Sequence, residues 1–93
     1  MSTVSLSLYE YAILSTLIVN SGTIVVEGTK RKVEYVLQRV RSFKRRGLID
    51  YTDVEVSRNK IHNLSFYKVR LKGFKYVKPT KIVERGLTMV LYV

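Results

Sequence analysis

A chain of 93 residues, 46% hydrophobic and free of cysteine, can bury one modest core and excludes both disulfides and thiolate metal sites. Its formal charge of +10 is segregated: residues 1–29 hold no Lys or Arg, 30–46 hold eight with Glu34 as the one acid, 47–57 hold three acids, and 58–93 hold nine bases with Glu84 as the one acid. A solubilising surface would mix the signs, so two basic blocks around an acidic stretch make a footprint for a polyanion, with nucleic acid the leading partner class.

In chain order, "LSLYEYAILSTLIVN" places Leu6, Tyr9, Ile13, Leu14, Leu17 and Ile18 close to i, i+3, i+4 spacing and predicts a first helix, which Asn20-Ser21-Gly22 stops. Its longest apolar run, Tyr11 to Val19 broken by Ser15 and Thr16, falls short of the roughly 20 residues of a membrane span. No basic stretch precedes it as in a signal peptide, so a cytoplasmic protein without a membrane partner is expected. "TIVVEG" is β-branched and predicts a short strand or an irregular link. Thr29 is placed to cap a basic helix that runs to Arg46, with Gly47 ending it. "LIDYTDVEVS" and "LSFYKVRL" alternate in the strand period around "RNKIHN", and predict a long hairpin with a basic tip. The tail "KPTKIVERGLTMVLYV" fits a helix opened by Pro79, with Ile82, Val83, Leu87, Val90 and Leu91 inward, or a last strand "LTMVLYV"; the helix is preferred.

The basic helix carries the functional signal. At about 100° per residue, Val33, Val36, Leu37, Val40 and Phe43 form one stripe, and Arg31, Tyr35, Gln38, Ser42 and Arg45 face away from it. Lys30, Arg31 and Lys32 oppose the helix dipole at a cost of roughly 0.3–1 kcal/mol each, so local stability does not explain them, whereas a phosphate backbone does. A merely solvated charged face, as in heat-adapted proteins, would pair acids at i+4, and Glu34 stands alone.

Val36, Val40 and Phe43 followed by Gly47-Leu48-Ile49 resemble the end of the recognition helix and the turn into the wing of winged helix-turn-helix proteins. "LSLYEYAILSTL" is similar to the first helix of PadR-type regulators, and "YKVRLKGF" to their second wing strand, so the resemblance covers roughly residues 6 to 74. It implies an α+β winged helix-turn-helix occupying residues 1–93 as one domain: a helix, a short strand or short helix two, a basic recognition helix, a two-stranded wing and a C-terminal helix or strand. Only "TIVVEGTKR", interrupted by Gly28, is available for helix two, and no large C-terminal helical domain follows. Size and charge are also similar to those of the small site-specific DNA-binding proteins of archaeal plasmid partition systems. That likeness implies binding to a palindromic centromere, spreading on neighbouring DNA, and linkage through a ParB-type adaptor to a ParA-type ATPase. A plasmid or viral transcription repressor of the same fold is the alternative.

The competing class is a small basic RNA-binding domain of αβαββ order, of ribosomal or Alba type, which the missing helix two favours; the scattered tyrosines do not form its usual stacking motif. Catalysis finds no support, because His62 is the lone histidine, no phosphate-cradling Gly-x-x-x-x-Gly-Lys loop occurs and the acids do not cluster as metal ligands. No cofactor or metal is expected.

The expected interface is therefore explicit. With the helix in the major groove of double-stranded DNA, Arg31, Tyr35, Gln38 and Arg39 face bases. Lys30, Lys32, Ser42, Arg45, Arg46 and the wing residues Arg58, Asn59, Lys60 and His62 hold phosphates or the minor groove. Leu6, Leu8, Tyr9, Leu87, Val90 and Leu91 exceed the needs of a small core and are expected to join a homodimer.

Overall fold

In the computed structural model, which describes residues 2–93, strand outweighs helix. Strand β1 (Thr3–Ser7) leads into helix α1 (Leu8–Val19), strand β2 (Thr23–Glu27) and helix α2 (Lys30–Arg45). Then come β3 (Ile49–Asp50), β4 (Asp53–Ile61), β5 (Leu64–Lys72), β6 (Lys75–Tyr76), β7 (Lys81–Arg85) and β8 (Thr88–Tyr92). They form three antiparallel sheets, β1-β8-β7, β2-β5-β4 and β3-β6.

The first strand ends where Ser7 can cap a helix. Its hydroxyl accepts from the Glu10 N–H at 3.1 Å, and the Glu10 carboxylate accepts from the Ser7 N–H at 3.1 Å, a reciprocal capping box. Helix α1 therefore starts at Leu8, and Leu6, expected inside the helix, belongs to β1. The second helix ends as Gly47 requires. Gly47 takes φ 74°, its N–H reaches the Lys44 carbonyl at 3.0 Å and the Leu48 N–H reaches that of Phe43 at 3.0 Å, the double bond of a Schellman motif. The apolar stripe of α2 is as expected: Val33, Val36, Val40 and Phe43 are buried. They share one core with Leu14 and Leu17 of α1, Val69 and Leu71 of β5, and Leu91 of β8.

Two expectations are corrected. The fold is not a winged helix-turn-helix, which is helix-rich: among the described residues two helices stand against eight strands, and the segment needed for a second helix is β2, paired with β5 along its whole length. Three successive β-branched residues, Ile24, Val25 and Val26, favour that extended path, and Gly28 at φ 118° turns the chain straight into α2. The C-terminal helix is a hairpin instead. Gly86 at φ 60° opens a two-residue turn between Arg85 and Thr88, a conformation incompatible with a continuous helix, and β8 lies between β7 and β1. Pro79 sits just ahead of the edge strand β7, where no ladder donor is required of it.

Candidate nucleic-acid interface

Helix α2 has two packed faces, and the second is polar. Tyr35, Arg39, Ser42 and Arg46 recur at i, i+4, i+7 and i+11 and lie along the start of α1. The Arg39 and Arg46 guanidiniums both reach Glu10 Oε2, at 3.1 Å each. Arg46 also donates to the Ser5 carbonyl at 3.2 Å, and the Tyr35 ring meets the Tyr9 ring at 5.5 Å between centroids. Burial alone would raise the Glu10 carboxyl pKa, but the hydrogen bond from the Ser7 N–H and the charges of Arg46 and Arg39 outweigh it and hold it below the ordinary value. These contacts correct three site expectations: Arg39 and Arg46 neutralise Glu10, and Ser42 is buried rather than facing a ligand. Tyr35 stays half-open, with the Arg39 guanidinium 5.7 Å from its ring centre.

The remaining face of α2 is free. Arg31, Glu34, Gln38, Arg41 and Arg45 follow one another at three- and four-residue spacing and are all exposed, flanked by Lys30 and Lys32. Arg31, Gln38, Arg45, Lys30 and Lys32 are thus where the sequence reading put them. Arg41 belongs to this exposed row although a wheel drawn from the apolar residues points the exposed face toward Ser42 and leaves it out. The α2 N-terminus is uncompensated: Thr29 makes no side-chain capping bond and no acid lies in the first turn. At the other end Lys44 is spent, donating to the Tyr51 carbonyl at 2.8 Å and lying 3.6 Å from Asp50.

The hairpin β4–β5 is longer than "RNKIHN" suggested. Arg58, Asn59 and Lys60 belong to β4, paired with Tyr67, Phe66 and Ser65, and the turn is His62-Asn63, with φ 49° and 65°. Positive φ at both central residues is the requirement of a tight I′ turn, which asparagine meets readily and histidine less so. Because directly paired residues share a face, Arg58 and Lys60 line up with Val69 and Leu71, on the side that covers the core and faces the helices. Arg58 is steadied by Ser65 Oγ at 3.5 Å and by the Tyr67 ring, 6.0 Å away. The opposite face is neutralised in part: Glu55 binds both Lys72 and Arg70, and its carboxyl is held below the ordinary range by the Lys72 hydrogen bond.

Helix and hairpin meet where the Gly28 N–H donates to the Ser65 carbonyl at 3.1 Å. That bond sets the first turn of α2, with Lys30, Arg31 and Lys32, beside the strand pair that holds Lys60 and Ser65. Five of the seventeen Lys and Arg residues (Arg39, Lys44, Arg46, Arg70 and Lys72) have ion-pair partners, leaving twelve without one among the described residues. Seven of those twelve, Lys30, Arg31, Lys32, Arg41, Arg45, Arg58 and Lys60, belong to α2 and the distal part of β4.

The expected dimer set is divided. Leu6 and Leu91 are core residues, and Val90 is half-buried. Leu8, Tyr9 and Leu87 are exposed, and the Ser7–Thr88 pairing brings Leu8 and Leu87 to one edge. Among the described residues no cluster of His, Asp or Glu could hold a metal, and no helix is long and apolar enough to cross a membrane. No known protein family, curated protein or solved structure matches this chain.

Proposed function

We propose that this chain is a double-stranded DNA-binding protein that lays the free face of α2 in the major groove and the hairpin β4–β5 against the flanking backbone and minor groove. The observation that carries the reading is the separation of its cations into a spent set, held by Glu10, Asp50 and Glu55, and an unpaired set of which seven of twelve lie on helix α2 and the adjoining strand β4. Such charge has no internal partner, and its repulsion is relieved by a polyanion. Gln38 and Arg31 on the free row suit adenine and guanine edges; Lys30, Lys32, Arg41, Arg45, Arg58 and Lys60 suit phosphates. His62 and Asn59 are weaker contacts at the hairpin end.

Two copies bind a palindromic site in this proposal, joined through Leu8, Tyr9 and Leu87. The complex associates with plasmid or nucleoid DNA. Plasmid partition through a ParB-type adaptor and transcriptional repression use the same interface, and footprinting across the replicon that encodes the protein separates them by where the protected repeats lie.

Structured RNA is the second reading, favoured by strand β2 standing between the two helices, where a winged helix-turn-helix has its second helix. Against it, the outer face of the β2-β5-β4 sheet offers one aromatic, Phe66, beside Val25, Lys68 and Arg70, so it lacks the stacked platform that single-stranded bases use. Fluorescence anisotropy with duplex DNA and with a structured RNA at matched salt tests the choice. Duplex binding with a log–log salt slope of about −4 to −6 per chain supports DNA; tighter RNA binding refutes it.

A further inference from the structure

The far end of the hairpin carries an apolar pair that the core does not use. Ile61 is the last residue of β4 and Leu64 the first of β5, directly paired across the two-residue turn, and they are 56% and 50% exposed. Phe66, two residues along on the same face, continues the patch, half-buried opposite Asn59 and Glu27. Both neighbours of the turn are thus large aliphatics at a place where polar residues would cost nothing. The setting selects the occupant. Between Glu55 and Glu84 the chain has no acid, so the arm bearing this pair is cationic from Arg58 through Lys72. Arg58 and Lys60 lie on the opposite face of the same strand, the face shared with the core residues Val69 and Leu71.

We infer that Ile61 and Leu64 form a wedge that enters the minor groove, unstacks a base step and bends the duplex on which the protein sits; this rests on the DNA-binding reading proposed above. A two-stranded ribbon ending in a tight turn sets Ile61 and Leu64 side by side on one face, next to the turn residues His62 and Asn63. That is what opening one base step requires, since minor-groove proteins insert one or two Ile, Leu or Phe side chains between bases and kink DNA by about 20–90°. Anionic lipid would satisfy the same charge, but two aliphatic side chains bury too little apolar area to hold a peripheral protein on a bilayer.

The test uses the whole protein and a duplex of about 30 bp carrying a donor and an acceptor dye at its ends. Saturating wild-type protein is expected to raise energy transfer. The variant Ile61→Thr/Leu64→Thr keeps β-branched or strand-compatible residues at the tip, and is expected to leave affinity within about threefold while abolishing the rise, because the phosphate contacts remain. Ile61→Ala/Leu64→Ala, with folding checked by circular dichroism, should behave alike. Wild-type binding without bending, or bending that survives both variants, overturns the wedge and leaves the DNA reading standing. Absence of duplex binding by the wild-type chain overturns the parent reading instead. Tighter, variant-sensitive binding to phosphatidylglycerol-containing phosphatidylcholine vesicles overturns the wedge in favour of a membrane contact.

Discussion

The two helices of this protein begin in opposite ways. Helix α1 starts with a closed capping box, an acid in its first turn and no cation. Helix α2 starts with three consecutive cations, no acid in its first turn and a Thr29 whose side chain caps nothing. The positive end of the backbone dipole is compensated in the first case and aggravated in the second. The contrast continues along their lengths. Glu10 of α1 gathers Arg39 and Arg46 inward, while the free face of α2 leaves Arg31, Arg41 and Arg45 with no partner among the described residues. A helix that completes its own electrostatics is a building part. One that leaves them incomplete is built to be completed by something negative.

The strongest way to break this contrast is to give α2 the start that α1 has. Lys30→Glu/Arg31→Glu/Lys32→Glu should remove duplex binding by about a hundredfold or more, through six units of charge reversed at the proposed interface. The same variant should become more stable, because each acid near the helix start improves on a cation by roughly 0.3–1 kcal/mol. Opposite signs in anisotropy and in urea unfolding are the expected outcome. Parallel losses in both would mean that the three cations hold the fold.

The converse change falls on α1. Glu10→Ala removes half of the capping box and both ion pairs, and should cost on the order of 2–3 kcal/mol in urea unfolding without weakening DNA binding. Glu10→Gln isolates the charge. Since the folded carboxyl titrates below its ordinary value near 4.5, it contributes stability above that value, and the contribution is lost as pH falls from there through the folded pKa. The Gln variant should therefore show a flatter stability profile below about pH 5 than the wild-type chain. An unchanged acid limb would show that Glu10 is not the group that titrates.

How much of this was legible follows from where the periodicity lay. Helix α2 was legible from end to end, since Thr29, the apolar stripe and Gly47 are all sequence signals. So was the basic hairpin, apart from its turn, because Arg58, Asn59 and Lys60 look like loop residues when taken one at a time. The tail reads as a helix because Ile82, Leu87 and Leu91 satisfy a helical wheel, which Gly86 at φ 60° breaks. The cut between Arg31 and Arg39 was hidden for a different reason. It depends on Glu10, 29 residues before Arg39, turning one polar face of α2 inward. A hydrophobic wheel registers only apolar burial, so on it Ser42 and Arg46 read as free and Arg41 does not stand out.

A subtler test asks whether the free row reads sequence as well as charge. Gln38→Ala should cost about 1–3 kcal/mol on the specific site and almost nothing on unrelated duplex, while Lys60→Ala should weaken both alike and flatten the salt slope by about one. Titrations on matched specific and scrambled duplexes measure this. Equal losses on both duplexes for Gln38→Ala would leave α2 a phosphate-binding helix only.

The smallest expected effect is the most direct probe of the open helix start. Thr29 already occupies the cap position in extended backbone, at φ −90° and ψ 160°, so Thr29→Asp needs no backbone change to bond the exposed N–H groups of the first turn. It should stabilise the fold by about 0.5–1 kcal/mol, through the cap and through a negative charge at the positive end of the dipole. The same charge lies beside Lys30, Arg31 and Lys32 and competes with phosphate there, so duplex affinity should fall severalfold, roughly the weight of one lost phosphate contact, and the deficit relative to wild type should narrow at high salt. Thermal unfolding and anisotropy on one preparation measure both quantities. A stability gain with undiminished affinity would place the phosphates on the Arg41 and Arg45 end of the helix, leaving the first-turn cations outside the interface.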